Sequence, residues 1–175
     1  LQFKKNILYV INVSAGMPSE YFLEDKLRFR GILSKEHKIQ TGDGLFWINK
    51  TGAFYYKDDN IIDISVSPDE SNNRLRINKS KWKDFITLKT TVGYDPSSEE
   101  CYVIRSHSQT TPDDGDCYIY NIKLDSWTFG KRKFYSGGTA ASERNLTNII
   151  NSGDNHELSY IVNHPSDDVD GGPPE

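Results

Sequence analysis

Four histidines, two cysteines, 25 acidic residues and three tryptophans are the side chains with which this 175-residue sequence could do chemistry. His37, His107, His156 and His164 lie far apart, and none has the H-x-H or H-x-x-x-H partner that a metal site uses. Each is expected to be a solvated histidine in or beside a turn. Asp113-Asp114-Gly115-Asp116 and Asp167-Asp168-Val169-Asp170-Gly171 gather the carboxylates that a hard cation needs. Neither has the spaced D-x-D-x-D-G order with a distal Glu, and Asp-Gly is ordinary hairpin chemistry. Cys101 and Cys117 are expected on neighbouring strands of one hairpin, as either a cross-strand disulfide, whose geometry is demanding, or two small buried thiols. The buried thiols are the expectation. The sequence has no G-x-S-x-G elbow, P-loop or H-E-x-x-H, and spacing singles out no carboxylate pair for glycoside hydrolysis. Asp125-Ser126-Trp127-Thr128 is the nearest approach to a sialidase box and lacks its glycine. The expectation is a protein without catalytic residues, cofactor or metal.

Aromatic side chains offer different chemistry, stacking on a sugar or a partner. Trp127, after Tyr118-Ile119-Tyr120, and Trp47, with Tyr55 and Tyr56, stand in alternating strand patterns, so packing is expected of them. Trp82 lies in the polar context Lys79-Ser80-Lys81-Trp82-Lys83. It either anchors a long connection, with Phe85 and Ile86 close by, or sits exposed as a binding hot spot. Trp82, Arg74 and Arg76 are the candidate binding-face residues. Asn12-Val13-Ser14, Asn49-Lys50-Thr51, Asn78-Lys79-Ser80 and Asn145-Leu146-Thr147 match the glycosylation sequon.

The elements that would position these residues are strands. Three times a turn rich in Gly, Asp, Glu or Ser leads into a short apolar strand, starting at Leu45, Cys101 and Leu158, spacings of 56 and 57 residues. Such a period, made of hairpins, implies units that must stack to bury their apolar faces. One repeat reads as strands at 37–41, 44–49, 53–57 and 61–66; the next at 90–94, 101–106, 116–123 and 126–129. Helical periodicity is weak, and its best stretch, 19–29, barely fills one face. The fold class expected is all-β, a β-propeller-like array of four-stranded antiparallel blades with a period of about 56 residues; a β-sandwich is the alternative. The implied layout is a partial blade or lead-in at 1–36, a full blade at 37–66, a long connection at 67–89, and a second full blade at 90–130. A connection at 131–145, a partial third blade at 146–165 and a linker-like tail at 166–175 follow.

Ten Tyr, eight Phe and three Trp within 35% hydrophobic content suit pleated, half-buried surfaces. A net charge of −4 with scattered Lys and Arg offers no broad footprint for nucleic acid, and none is expected as a partner. No apolar run approaches the roughly 18 residues of a membrane helix, so no membrane insertion is expected. The opening Leu1-Gln2-Phe3 and the Pro- and Gly-rich end suggest a piece of a longer polypeptide.

The strings Gly42-Asp43-Gly44-Leu45-Phe46-Trp47-Ile48-Asn49-Lys50-Thr51-Gly52, Val92-Gly93-Tyr94-Asp95-Pro96 and Tyr118-Ile119-Tyr120-Asn121 with Asp125-Ser126-Trp127-Thr128-Phe129-Gly130 resemble repeat segments of virion structural proteins of tailed bacteriophages, particularly marine ones. The relation of Tyr to Trp in the second repeat is also similar to kelch-type blades. The resemblance implies a non-enzymatic tail, neck or fibre component of the virion whose partners are other virion proteins or copies of itself. The alternative expectation is a propeller that recognises a host-surface glycan or receptor.

Overall fold

A computed structural model of the chain describes residues 1–14, 16–65, 77–109, 111–134, 144–152 and 157–163. Arg74 and Arg76 lie outside the described residues, as do His156, His164 and the Asp167–Gly171 run.

The described chain is all-β and antiparallel apart from one short helix and a few 3-10 turns. The first sheet holds β1 (Gln2–Lys4), β2 (Ile7–Asn12) and β3 (Phe22–Arg28), in that order. Most of the 19–29 stretch is strand rather than helix: its few apolar side chains cannot bury a helical stripe, whereas pairing with β2 satisfies its backbone. The second sheet is a meander of β4 (Lys38–Gln40), β5 (Leu45–Asn49), β6 (Gly52–Lys57) and β7 (Asn60–Asp63). Its last hairpin turns on Asp58 and Asp59, at φ 48° and 60°, the left-handed pair that a two-residue hairpin loop demands.

Helix α1 (Lys79–Phe85) sits in the long connection. After it come β8 (Thr91–Asp95), β9 (Glu100–Ile104), β10 (Ser108–Gln109), β11 (Cys117–Asn121) and β12 (Ser126–Gly130). Strands β8, β9, β11 and β12 form the third sheet in meander order, while β10 leaves it to pair with β13 (Arg144–Ser152), which pairs in turn with β14 (Glu157–Asn163).

Period-two alternation puts each inner sheet between two apolar layers. Trp47 and Phe54 face the first sheet and pack on Leu8 and Phe3. Phe46, Ile48, Ala53 and Tyr55 face the other way, meeting Cys101, Val103 and Tyr120 of the third sheet together with Trp82, Phe85 and Ile86 of the connection. The far face of the third sheet carries Tyr102, Ile104, Cys117, Ile119 and Phe134.

One turn device recurs. Asn12, Asn49, Asp63 and Asp95 each end a strand and accept, through Oδ1, the backbone N–H two residues on, at 2.9, 2.7, 3.1 and 2.9 Å. The following Ser or Thr hydroxyl donates to the same oxygen. These Asx turns stop the strand, and those at Asn49 and Asp95 also turn the chain into the next strand of a hairpin. They account for two of the four sequons, and Asn78 in a third accepts from Lys81 N at 3.1 Å as the N-cap of α1.

Candidate functional site

Trp82 is not a surface platform. Asn78 caps a helix in which Trp82 and Phe85, three residues apart, point to the same side, and both are buried. The Trp82 ring meets Tyr118 and Trp127 edge-on, with centroids 5.3 and 5.7 Å away. Its indole N–H donates to Asn49 O at 2.8 Å, tying the connection to the end of β5. Trp82 is therefore the anchor of the connection and not an exposed hot spot, the lysines around it being the helix's wet side; the other two candidate binding-face residues, Arg74 and Arg76, lie outside the described residues.

The other two indoles do the same across different seams. Trp47 Nε1 donates to Arg30 O at 2.8 Å, between the second sheet and the link arriving from the first. Trp127 Nε1 donates to Ile64 O at 2.8 Å, between the third sheet and the end of the second. A buried indole N–H needs a partner, and here every partner is a backbone carbonyl on another element. Asn49 adds to the first seam, its Nδ2 donating to Phe29 O and Gly31 O at 2.9 and 2.8 Å. Arg30 stacks 4.3 Å over Phe54 and pairs with Asp63 at 3.3 Å.

His37 corrects an expectation, since the ring is wholly buried rather than solvated. Neither nitrogen makes a hydrogen bond of normal geometry, and the ring faces the backbone of Thr87 and Thr90. Burial holds its pKa below the ordinary 6.5. The unfolded ring then takes up protons that the folded one refuses, so stability is lost as pH falls below about 6.5. Melting temperature is expected to drop between about pH 7 and pH 5, and His37→Phe to flatten that slope. An equal slope in the variant would contradict this account of the ring. His107, in contrast, is half-exposed and its Nδ1 lies 2.8 Å from Lys89 O.

Cys101 and Cys117 are buried and unbonded. Cys101 is level with Tyr120 and Cys117 with Ile104, and their side chains enter apolar layers on opposite faces of the sheet. Burial pushes the Cys101 thiol up strongly and that of Cys117 to about 11, so both stay protonated and unreactive at neutral pH. A thiol reagent is expected to find neither cysteine in the native chain and both after denaturation; a fast-reacting thiol in the native state would refute the packing. Asp113-Asp114-Gly115-Asp116 is spent on structure. Asp114 Oδ2 accepts from Thr111 N at 2.7 Å in a capping box, and Asp116 Oδ1 accepts from Arg132 N at 2.8 Å. Among the described residues, no group of three or more His, Cys, Asp or Glu is placed to hold a metal ion.

Concavities lined by described residues include the following. A cleft of about 640 Å³ between β3 and the outer end of the second sheet is lined by Glu24, Asp25, Asp59 and Tyr56, whose hydroxyl donates to Asp59 at 2.8 Å. A groove of about 720 Å³ runs beside β1 over Lys38, Gln40 and Leu45. A smaller one, about 260 Å³, lies beside α1 where Phe129 and Tyr118 are framed by Lys81, Asp84, Arg105 and Asp116. No helix among the described residues is long and apolar enough to cross a membrane. No protein-family model and no curated protein sequence matches this chain.

Proposed function

We propose that the chain is an assembly module of a bacteriophage virion, a tail, neck or fibre component in which propeller-like blades form a stiff platform for neighbouring subunits or for copies of itself. The observation that carries the reading is the use of all three indole N–H groups as cross-links between successive elements. Trp47 and Trp82, which a recognition module could display, are buried in the seams. The blade arrangement draws support from the opening strands: β4 lies against β8, and β8 against β13, without exchanging ladder bonds, as strands fanned around an axis do.

Light scattering of the purified chain across concentration tests this reading. A defined oligomer or mass growing with concentration is expected, and a monomer at every concentration would count against it. The alternative, a glycan- or receptor-binding module, is favoured by one observation, the cleft in which Phe129, 48% exposed, and Tyr118 stand among charged side chains. Glycan binding abolished by Phe129→Ala would support that alternative instead.

A further inference from the structure

The imidazole of His37 is wholly buried with neither nitrogen in a hydrogen bond of normal geometry. It stands in a 3-10 turn, Lys35–His37, that leads into β4 and lies against β5 and β8. Its cover is thin. The ring meets the main chain of Thr87 and Thr90, the two ends of a strap between α1 and β8 in which Thr87, Leu88 and Lys89 are exposed, Leu88 by 69%. The strap closes on itself: Thr90 Oγ1 accepts from Thr87 N at 2.8 Å, and Thr90 N donates to Thr87 O at 3.3 Å. The Thr90 hydroxyl, 3.1 Å from Arg105 O, and His107 N, which donates to Lys89 O at 2.7 Å, tie it to the third sheet.

We propose that this strap is an acid-released latch: a proton taken up by His37 lifts residues 87–90 from the ring and loosens the seam between the second and third sheets where β4 lies against β8. Burial penalises the charged ring more than the Thr87 and Thr90 main chain and the Glu36 carboxylate favour it, so the closed form refuses the proton. Lifting the strap lets water reach the ring, which then titrates near its ordinary 6.5. The open form binds the proton and the closed form does not, so opening is favoured as pH falls below about 6.5, by a factor of up to about 30 at pH 5. Other charges around the ring are placed elsewhere. Lys35, Glu36 and Lys38 flank it in sequence and reach water. Strand β5 brings no titratable side chain; β8 brings Tyr94, whose proton burial retains, and Asp95, which closes its own turn at the far end of the strand. His107, with Nδ1 against Lys89 O, is the second imidazole at the strap and provides the control. The latch belongs to the two four-stranded sheets and acts whatever the chain assembles with.

Native-state hydrogen exchange of the full chain at pH 7.5 and pH 5.0, in a series of low urea concentrations and corrected for intrinsic rates, is the test. Protection of the amides at 87–90 and in Lys38–Gln40 is expected to fall about tenfold or more at pH 5.0, with little dependence on urea because little surface opens; β9 and β11 exchange only through global, urea-dependent unfolding. His37→Phe is expected to abolish the fall at the strap. If that chain folds poorly, His37→Gln, which keeps polar atoms for the same backbone and does not titrate, takes its place. His107→Gln is expected to retain the fall. A fall that survives the loss of His37, or that vanishes in His107→Gln, overturns the proposal. Strap amides with the opening free energy and urea dependence of β9 overturn it too, since His37 would then act on global stability alone.

Discussion

Trp82→Ala is expected to cost the fold about 3–5 kcal/mol, and to lower the melting temperature by about 10 °C or more. The side chain is 2% exposed, so its removal opens a cavity where Tyr118, Trp127 and the end of β5 meet. It also leaves Asn49 O without its indole donor. Trp82→Phe separates the two effects: most of the apolar area stays, and the loss is about 1–3 kcal/mol for the unmade hydrogen bond and imperfect fit. Urea titration reads both. A Trp82→Ala chain within about 0.5 kcal/mol of the parent would be the behaviour of a surface residue, and would contradict the anchoring role.

Gly31→Ala carries the second large effect. A Cβ at this position would stand 1.9 Å from Lys4 O and 2.3 Å from Ile7 N. Both atoms belong to the backbone of the β1–β2 hairpin, so no side-chain rotation relieves the clash. The first sheet has to move off the second, and with it the bonds from Asn49 to Phe29 O and Gly31 O. The expected cost is about 3 kcal/mol, the upper end of overpacking penalties. It should be concentrated locally: hydrogen exchange across β1 and β2 rises while that of β9 and β11 is kept. Gly42→Ala is the control, because its Cβ would meet Tyr94 Oη at an ordinary 3.6 Å; a change within about 0.5 kcal/mol is expected there. Equal destabilisation by the two substitutions would mean that the close approach at Gly31 is not what joins the sheets.

The two four-stranded sheets were legible because alternation and turn chemistry agree along them. Strands expected at 44–49 and 53–57 are found at Leu45–Asn49 and Gly52–Lys57, and those at 101–106 and 126–129 at Glu100–Ile104 and Ser126–Gly130. The Asx turns were present in the sequence as Asn or Asp followed two residues later by Ser or Thr, and that pattern, taken as a strand terminator rather than a sequon, would have found four strand ends. Helix α1 was missed since seven residues with two buried side chains give too little periodicity. Strand β1 has three residues and one inward aromatic, less than any pattern needs. His37 was misjudged because its burial comes from a distant segment, the backbone around Thr87 and Thr90 closing over it. The indole bonds span 17, 33 and 63 residues, and no local signal specifies an acceptor at such range. The candidate site was therefore less legible than the fold. Tryptophans could be assigned to packing, but not to particular seams.

Trp47, Trp82 and Trp127 lock successive elements of the three sheets into one stiff body. Hydrogen exchange of the three indole N–H protons, followed by NMR in the native chain, tests it directly. The account predicts that all three exchange slowly, with opening free energies close to that of global unfolding, because each proton is held against a carbonyl in a packed seam. Rapid exchange at any one of them, at the rate of an exposed indole, would show that its seam opens independently and would contradict the claim.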